Sequence, residues 1–583
     1  MLALLGSAAN AQDKDKDHED GRADHRGLVQ DWTGRHIVFS RFGPLDSLLA
    51  AQHDPRAIDA WEDAYRRDWR RGWHDRTRRS AESTEHRDWA IPLGPLNGVA
   101  VPINVYPAKY SFSITASPDC ANDFVVFPVN APGSGTQPNL VALNQLYSGT
   151  VPSSGICNRA SSSSDSGVAA ETLWSYNIEG IGAGSSVATS PTLSLDGKKV
   201  AFVETEAGHA AHFHVLAWKA TDGQDPANLQ NTFLPATISS FTGSAPTAGT
   251  GTATDLVLGS TASDTDTLSS PFVDYSDDVA YVGNDNGTLF RVKNVFCGIG
   301  SACAGAGSPA PSLDTAWPSG TGGGSIAVCA GKKMSAPVVD AVTGNIFVGC
   351  ADGNLYGYTS AGAKLTNSPL TVGDGTAAGG IVDPVLIDAI HGFVYVTSGS
   401  GSGVSNPVLV QAKTDLSLAR VADIGLKNTG TPFNLHDPDF NDAYFSNGTS
   451  STWFMYIMGL NSTGTQSMLY GVGFVDSAHN MAIGTPSNAF TFDTPREWGP
   501  VTHFLNGATD QLYVSGAPGG ATNFYEFNIT SGFPGGFTSS ATEGNATSGI
   551  IIDNTSGSNQ ASSVYFETLG SSDAVKLTQS GLN

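Results

Sequence analysis

Residues 335–365 read SAPVVDAVTGNIFVGCADGNLYGYTSAGAKL. Ala336–Val339 is an apolar run and Asp340–Asn345 a turn carrying Thr343-Gly344. Ile346–Gly349 is a second run, Ala351–Asn354 a turn carrying Asp352-Gly353, and Leu355–Tyr358 an alternating run. Three short strands joined by tight glycine-containing turns predict an antiparallel meander. One such meander buries too little apolar surface to offset its chain entropy, so it requires neighbours.

Degenerate copies recur in order along the chain. SPTLSLDGKKVAFVE begins at Ser190, SPFVDYSDDVAYVGNDNGTLFRVK at Ser270, and DPVLIDAIHGFVYVTSG at Asp383. Further units begin near Asn434, Gly499 and Ser548, and the earliest at Tyr110 with YSFSITASPDCANDFVVFPV. Eight units of roughly 45 to 80 residues predict an all-β, eight-bladed β-propeller, with seven blades as the runner-up. Asn284–Gly287 and Ala351–Asn354 read as hairpin turns.

The pattern SPxxD…G.vyVG..DGxLyal resembles the blade consensus of quinoprotein-like (pyrroloquinoline-quinone-type) and WD40-like propellers over about residues 105–583. The chain also resembles secreted propeller proteins of acidobacterial type in YPAKYSF, PDCANDFVVFPV and SPTLSLDGKKVAFV, a group to which no activity attaches. Quinoprotein dehydrogenases repeat A-x-D-x-x-T-G-x-x-x-W, and many hold the quinone with vicinal cysteines. Asp340, Thr343 and Gly344 match part of that motif, no Trp follows at the expected place, and no Cys-Cys occurs. The resemblance therefore implies the scaffold rather than the cofactor.

Composition fits this reading. Gly supplies 68 of the 583 residues and charged residues only 14%, as in turn-rich all-β chains. A net charge of −24 argues against nucleic acid or anionic membrane as partners, because phosphate binding needs a concentrated basic surface. MLALLGSAANAQ, with Ala9-Asn10-Ala11, reads as the tail of a signal peptide, residues 1–11, whose start lies upstream. No apolar stretch is long enough for a membrane span. Six cysteines suit an oxidising, secreted setting, and proximity pairs Cys297 with Cys303, Cys120 with Cys157 and Cys329 with Cys350, each within one unit.

Residues 12–87 form a charged extension. Residues 13–88 hold 15 of the 30 Lys/Arg and 17 of the 54 Asp/Glu, and Asp13–Arg26 reads as a solvated arm. A helix is expected over about 54–73, capped by Asp54, with Ile58, Trp61, Tyr65, Trp69 and Trp73 in an apolar stripe. That stripe either docks a partner or packs on the propeller. Arg87–Leu93 (RDWAIPL) resembles Thr172–Ile178 (TLWSYNI), an outer strand of the first unit. Residues 88–93 should therefore add the outer strand to the last blade of the 88–583 ring, closing it. Ser153–Ala169, Gly243–Ala262, Cys297–Gly324 and Gly399–Ser405 read as long rim loops.

Three constellations bear on chemistry. Asp437, Asp439 and Asn441 offer oxygens at the alternate spacing of a calcium loop, but Asp442 and Gly448 break the EF-hand pattern, leaving an Asp-rich turn as the alternative. His212 and His214 share one face of a strand with Glu204 or Glu206 nearby, and make either a transition-metal pair or a polar hairpin tip. Asp493, Arg496, Glu497 and Trp498, together with Asp383, His436 and Asp437 at unit starts, would face a central channel and bind a ligand there. No hydrolase, P-loop or dinucleotide motif occurs. The expected function is a secreted, non-catalytic scaffold binding protein or glycan through its rim loops and N-terminal helix. The alternatives are a propeller enzyme (a quinone-dependent oxidoreductase or a carbohydrate-active lyase or hydrolase) and a surface or filament subunit assembling through the extension.

Overall fold

The computed structural model of the chain describes residues 27–38, 54–58, 85–96, 100–113, 117–151, 153–161, 165–297, 309–404, 406–426, 433–445, 449–492, 494–516, 523–554, 556, 558 and 560–579. Eight antiparallel meanders follow one another along it. Their innermost strands are Ala108–Ser111, Thr192–Leu193, Phe272–Asp274, Val338–Val339, Leu386–Asp388, Asp439–Phe440, Thr502–Asn506 and Ile551–Asp553, which begin blades 1 to 8. The fold is the expected eight-bladed β-propeller, and the seven-bladed alternative falls.

One hydrogen bond explains the repeated serine at blade starts. Ser269, Ser335 and Ser548 each turn Oγ back to accept the backbone N–H that follows the second strand, from Gly283 at 2.7 Å, Gly349 at 3.0 Å and Glu567 at 2.9 Å. The glycines of the hairpin turns are equally specific. Gly287 and Gly353 have φ of +79° and +82°, a region that side-chain-bearing residues avoid.

The core lies between blades. In Val200–Glu204, Val200 and Phe202 pack towards blade 1, while Ala201 and Val203 pack towards blade 3. This alternation of successive side chains repeats around the ring, so an apolar layer fills every seam. The seam between blades 8 and 1 is made by the N-terminal strand Glu85–Pro92, which pairs antiparallel with Asp573–Gln579, Trp89 opposite Lys576 and Ala90 opposite Val575. Trp89, Ile91 and Leu93 are buried there against Phe127, Leu143 and Tyr565. Lys576 Nζ meets Asp88 Oδ2 at 2.6 Å, with both side chains fully buried.

Two sequence expectations need correction. Neither Gly243–Ala262 nor Cys297–Gly324 is all loop: Thr252–Val257 is the outermost strand of blade 2, paired with His212–Ala217, and Ser312–Leu313 pairs with Val292–Lys293 of blade 3. Half-exposed at a sheet edge, Thr252–Val257 lacks the apolar alternation that marks inner strands. The Cys120–Cys157 and Cys329–Cys350 bridges form as paired. The second does not stay within one unit, since Cys329 follows the blade 3 strand Ser325–Ala327 and Cys350 ends the second strand of blade 4. Cys303 and residues 1–26, which include the expected signal-peptide tail 1–11 and the arm Asp13–Arg26, lie outside the described residues. Two bridges fit an oxidising environment, and among the described residues no helix is long and apolar enough to cross a membrane.

The extension also enters the ring. Leu28–Gln30 adds antiparallel to the inner strand of blade 1, a single helical turn follows at Thr33–His36, and Ile37–Val38 adds parallel to the inner strand of blade 5. Blades 1 and 5 face each other in an eight-membered ring, so residues 27–38 span the central channel. Gln30 donates to Ile552 O of blade 8 at 2.8 Å, and the buried Trp32 packs edge-on to Phe272 of blade 3. The expected helix starts as read, with the Arg56 N–H donating to Asp54 Oδ1 at 3.0 Å. Its Arg56 guanidinium binds Asp31 at 2.9 Å and stacks over Tyr275, which docks this start onto the channel segment. Trp61, Tyr65, Trp69 and Trp73 lie outside the described residues.

Candidate functional site

At the channel mouth the blade-start position that holds serine in blades 3, 4 and 8 is Asp383 in blade 5. Its Oδ2 accepts the Asp437 N–H at 2.8 Å, and its Oδ1 accepts from Asn104 Nδ2 at 2.7 Å. Asn104 belongs to the lead into blade 1, so this lead makes a second crossing above residues 27–38. Its Val105 O also accepts the Gly549 N–H of blade 8, at 2.8 Å.

His436 sits between two carboxylates. Nδ1 is 2.9 Å from Asp383 Oδ1, and Nε2 is 3.1 Å from Glu497 Oε1. Burial opposes a charge on the ring, but the two carboxylates outweigh it and push the imidazole up to about 10. Glu497 is moved the other way: burial raises its carboxyl, and its contact with His436 brings it below the ordinary value. His436 is therefore a fixed imidazolium with a proton on each nitrogen. It has no lone pair with which to take a proton or bind a metal.

The neighbouring acids are also committed. Burial, reinforced by Asp383, holds Asp437 well above the usual carboxylate range, while burial and Arg35 push His36 down to about 3. Asp437 Oδ2 and His36 Nδ1 face one another at 3.6 Å. Asp439 Oδ2 pairs with Arg35 at 3.4 Å and accepts the His503 N–H at 2.8 Å. Asn441 accepts the Phe454 N–H at 3.0 Å and donates to Thr452 O at 2.8 Å. Of the three side chains read as a calcium loop, Asp439 and Asn441 already have protein partners that a cation would have to displace, while Asp437 Oδ2 has no hydrogen-bond partner.

Glu497 points towards His436, and Arg496 and Trp498, its neighbours in sequence, line the recess beside it. Trp498 is buried in the seam of blades 6 and 7 with Arg496 over its ring at 5.4 Å. Asp493 lies outside the described residues. Beside Glu497 a recess of about 30 Å³ is lined by Phe433, Leu435, Met458, Leu460 and Trp498, room for roughly two waters. His212 and His214 lie far round the ring on blade 2. His214 is fully buried, not at a hairpin tip, and Asp255 Oδ1 and Glu204 Oε2 each lie 2.7 Å from a ring nitrogen of this pair. What the sequence reading missed at the mouth is Arg35, His36 and Asn104. The apolar runs around them, LVQDW and HIVF, were the signal available.

The His436 geometry fixes a pH dependence. The folded ring titrates near 10 against an ordinary 6.5, so its stabilisation is complete below about pH 6.5 and drains as pH rises through 10. A change of this size corresponds to roughly 3–5 kcal/mol. Urea midpoints should fall between pH 7 and 10 in the native chain. His436→Gln should start lower and lose that slope, and an unchanged slope would refute the assignment.

No family model matches the sequence, and no curated protein matches it. Among solved structures, BamB from Moraxella catarrhalis is similar at 14% identity, over 77% of this chain and 95% of that one, with a TM-score of 0.39. Sqt1 from Chaetomium thermophilum is similar at 10% identity over 85% and 98%, with a TM-score of 0.44. Sqt1 from Saccharomyces cerevisiae gives 10%, 85% and 99%, with a TM-score of 0.42. Likeness at this level says nothing about what the chain binds; its own eight radial sheets identify it as an eight-bladed β-propeller.

Proposed function

We propose that this protein is a secreted, non-catalytic scaffold that takes a protein or glycan partner on its outer rim. The observation that carries this is the closed channel. Residues 27–38 cross it, Asn104 spans its mouth, and the one histidine between two acids there is locked as a cation. A propeller enzyme of the kinds considered above works on a substrate held in its central cleft, and here residues 27–38 cross that cleft.

Binding therefore belongs outside. On the rim of blades 5 and 6, Leu418, Val421, Val475 and Ile483 are 75, 39, 55 and 67% exposed. Val421 and Ile483 lie side by side, because Gly484 N–H donates to Val421 O at 3.1 Å. The adjacent exposed pair Val421 and Ile483 supports an interaction surface here.

The test sets two surfaces against each other in protein purified from its source with its natural partner. Leu418→Asp with Ile483→Asp should abolish partner retention, and Glu497→Gln should leave it intact. The reverse pattern would overturn the reading. So would turnover of an alcohol with added pyrroloquinoline quinone, or of a polysaccharide, that is lost in Glu497→Gln.

A further inference from the structure

We propose that Glu204, His212 and His214 form a site for a divalent transition metal of the zinc class at the seam of blades 1 and 2. In the sheet, His212 stands opposite Glu204 and His214 opposite Phe202. Phe202 and Leu216 face blade 1, so alternation puts all three polar side chains on that same face. One nitrogen of each ring and one oxygen of Glu204 lie within 4.8 Å of one another, the one such group of three among the described residues.

The hydrogen bonds around the rings are those a metal ligand requires. His212 Nδ1 is 2.7 Å from Asp255 Oδ1, and His214 Nδ1 is 2.8 Å from Thr254 O. An N–H at Nδ1 donating to a carboxylate or a carbonyl leaves the lone pair on Nε2, and such partners are the usual outer shell of metal-bound imidazoles. His214 Nε2 lies 2.7 Å from Glu204 Oε2, where a proton joins them in the metal-free chain and a cation would take its place.

The surroundings are close-packed. The stretch Gly180-Ile181-Gly182 of blade 1 passes over the group, with the Ile181 N–H 3.2 Å from Glu204 Oε2. A Cβ added at Gly180 would lie 2.6 Å from that oxygen and 2.7 Å from His214 Cε1, so a side chain there would fill the cradle. Glu204 and His214 are fully buried, and the His212 side chain, 14% exposed, opens the group to solvent. Two imidazoles and one carboxylate, with water completing four positions, suit zinc; calcium and magnesium need an all-oxygen set.

The full chain, stripped with a chelator and passed over a desalting column, is given one of two probes, Zn²⁺ or Co²⁺. The expected results are about one retained zinc per chain, a raised melting temperature, and the visible absorption of tetrahedral cobalt. His212→Ala, at the solvent-facing position, should keep the fold and weaken zinc binding more than about 100-fold, and Asp255→Asn should weaken it roughly 10- to 100-fold. His209→Ala, three residues away on the exposed turn, should bind as the native chain does. Failure of the native chain to retain zinc overturns the proposal, as does tight binding by His212→Ala or loss of binding in His209→Ala. Glu204 and His214 would then be a closed core ion pair.

Discussion

Deleting residues 1–92 should leave a chain that no longer melts cooperatively, whereas deleting residues 1–26 should leave the melting temperature unchanged. The strand Glu85–Pro92 supplies the whole outer ladder of blade 8, with partners from Asp573 to Gln579. Without it the last strand presents a bare row of N–H and C=O groups, and the apolar layer holding Tyr565 and Ala574 against blade 1 is exposed to water. Lys576 would also lose Asp88, its partner at 2.6 Å in a site closed to solvent. A single substitution isolates that last effect, because the deletion also removes the channel segment. Asp88→Ala should cost about 3–5 kcal/mol, the usual penalty for stranding one member of a buried ion pair. Circular dichroism and calorimetry read both. A 1–92 deletion melting within a few degrees of the full chain would show that the ring does not depend on this closure.

The second large effect is expected inside the channel. Trp32 is 1% exposed and belongs to the apolar cluster that joins blades 3, 4 and 5 to Tyr106 and Ile551. Trp32→Ala should destabilise the chain by about 3–5 kcal/mol, because the rigid ring cannot collapse onto the space left. Arg35→Met should also be costly. Its guanidinium donates to Tyr106 OH at 2.6 Å and to Val501 O, and it pairs with Asp439, so three groups from different parts of the ring lose their partner. Chemical denaturation of each variant checks both, and hydrogen exchange should show the inner strands of blades 1 and 5 losing protection first. Native-like stability in Trp32→Ala would mean that residues 27–38 are a passenger in the channel rather than part of the core.

Much of this architecture can be read from the chain, for identifiable reasons. The second strands of the blades, such as Val200–Glu204, Val279–Val282 and Ile346–Gly349, are buried on both faces, and glycine turns bound several of them, so the eight units are legible. The closing strand was visible because RDWAIPL carries the same alternation as TLWSYNI. The channel segment was not, because its strands Leu28–Gln30 and Ile37–Val38 are three and two residues long and their partners lie elsewhere in the chain. Thr252–Val257 was hidden by its polar, half-exposed face. At the mouth, Asp383, His436 and Glu497 were named as separate unit-start positions, and the ring brings them together. Trp498 is buried in a blade seam instead, with Arg496 over its ring. Which nitrogen of His436 faces which acid decides its chemistry, and that depends on spacing between blades, which sequence alone does not carry.

The bond between Asp88 and Lys576 joins residues 488 positions apart. The strand Glu85–Pro92, made early in synthesis, must therefore wait for nearly the last, about 25–100 s at ordinary rates of synthesis. Through that interval Trp89, Ile91 and Leu93 stand without their lifelong neighbours, as sticky as any nascent edge. Shielding them until translation ends is a task for whatever escorts the newborn polypeptide.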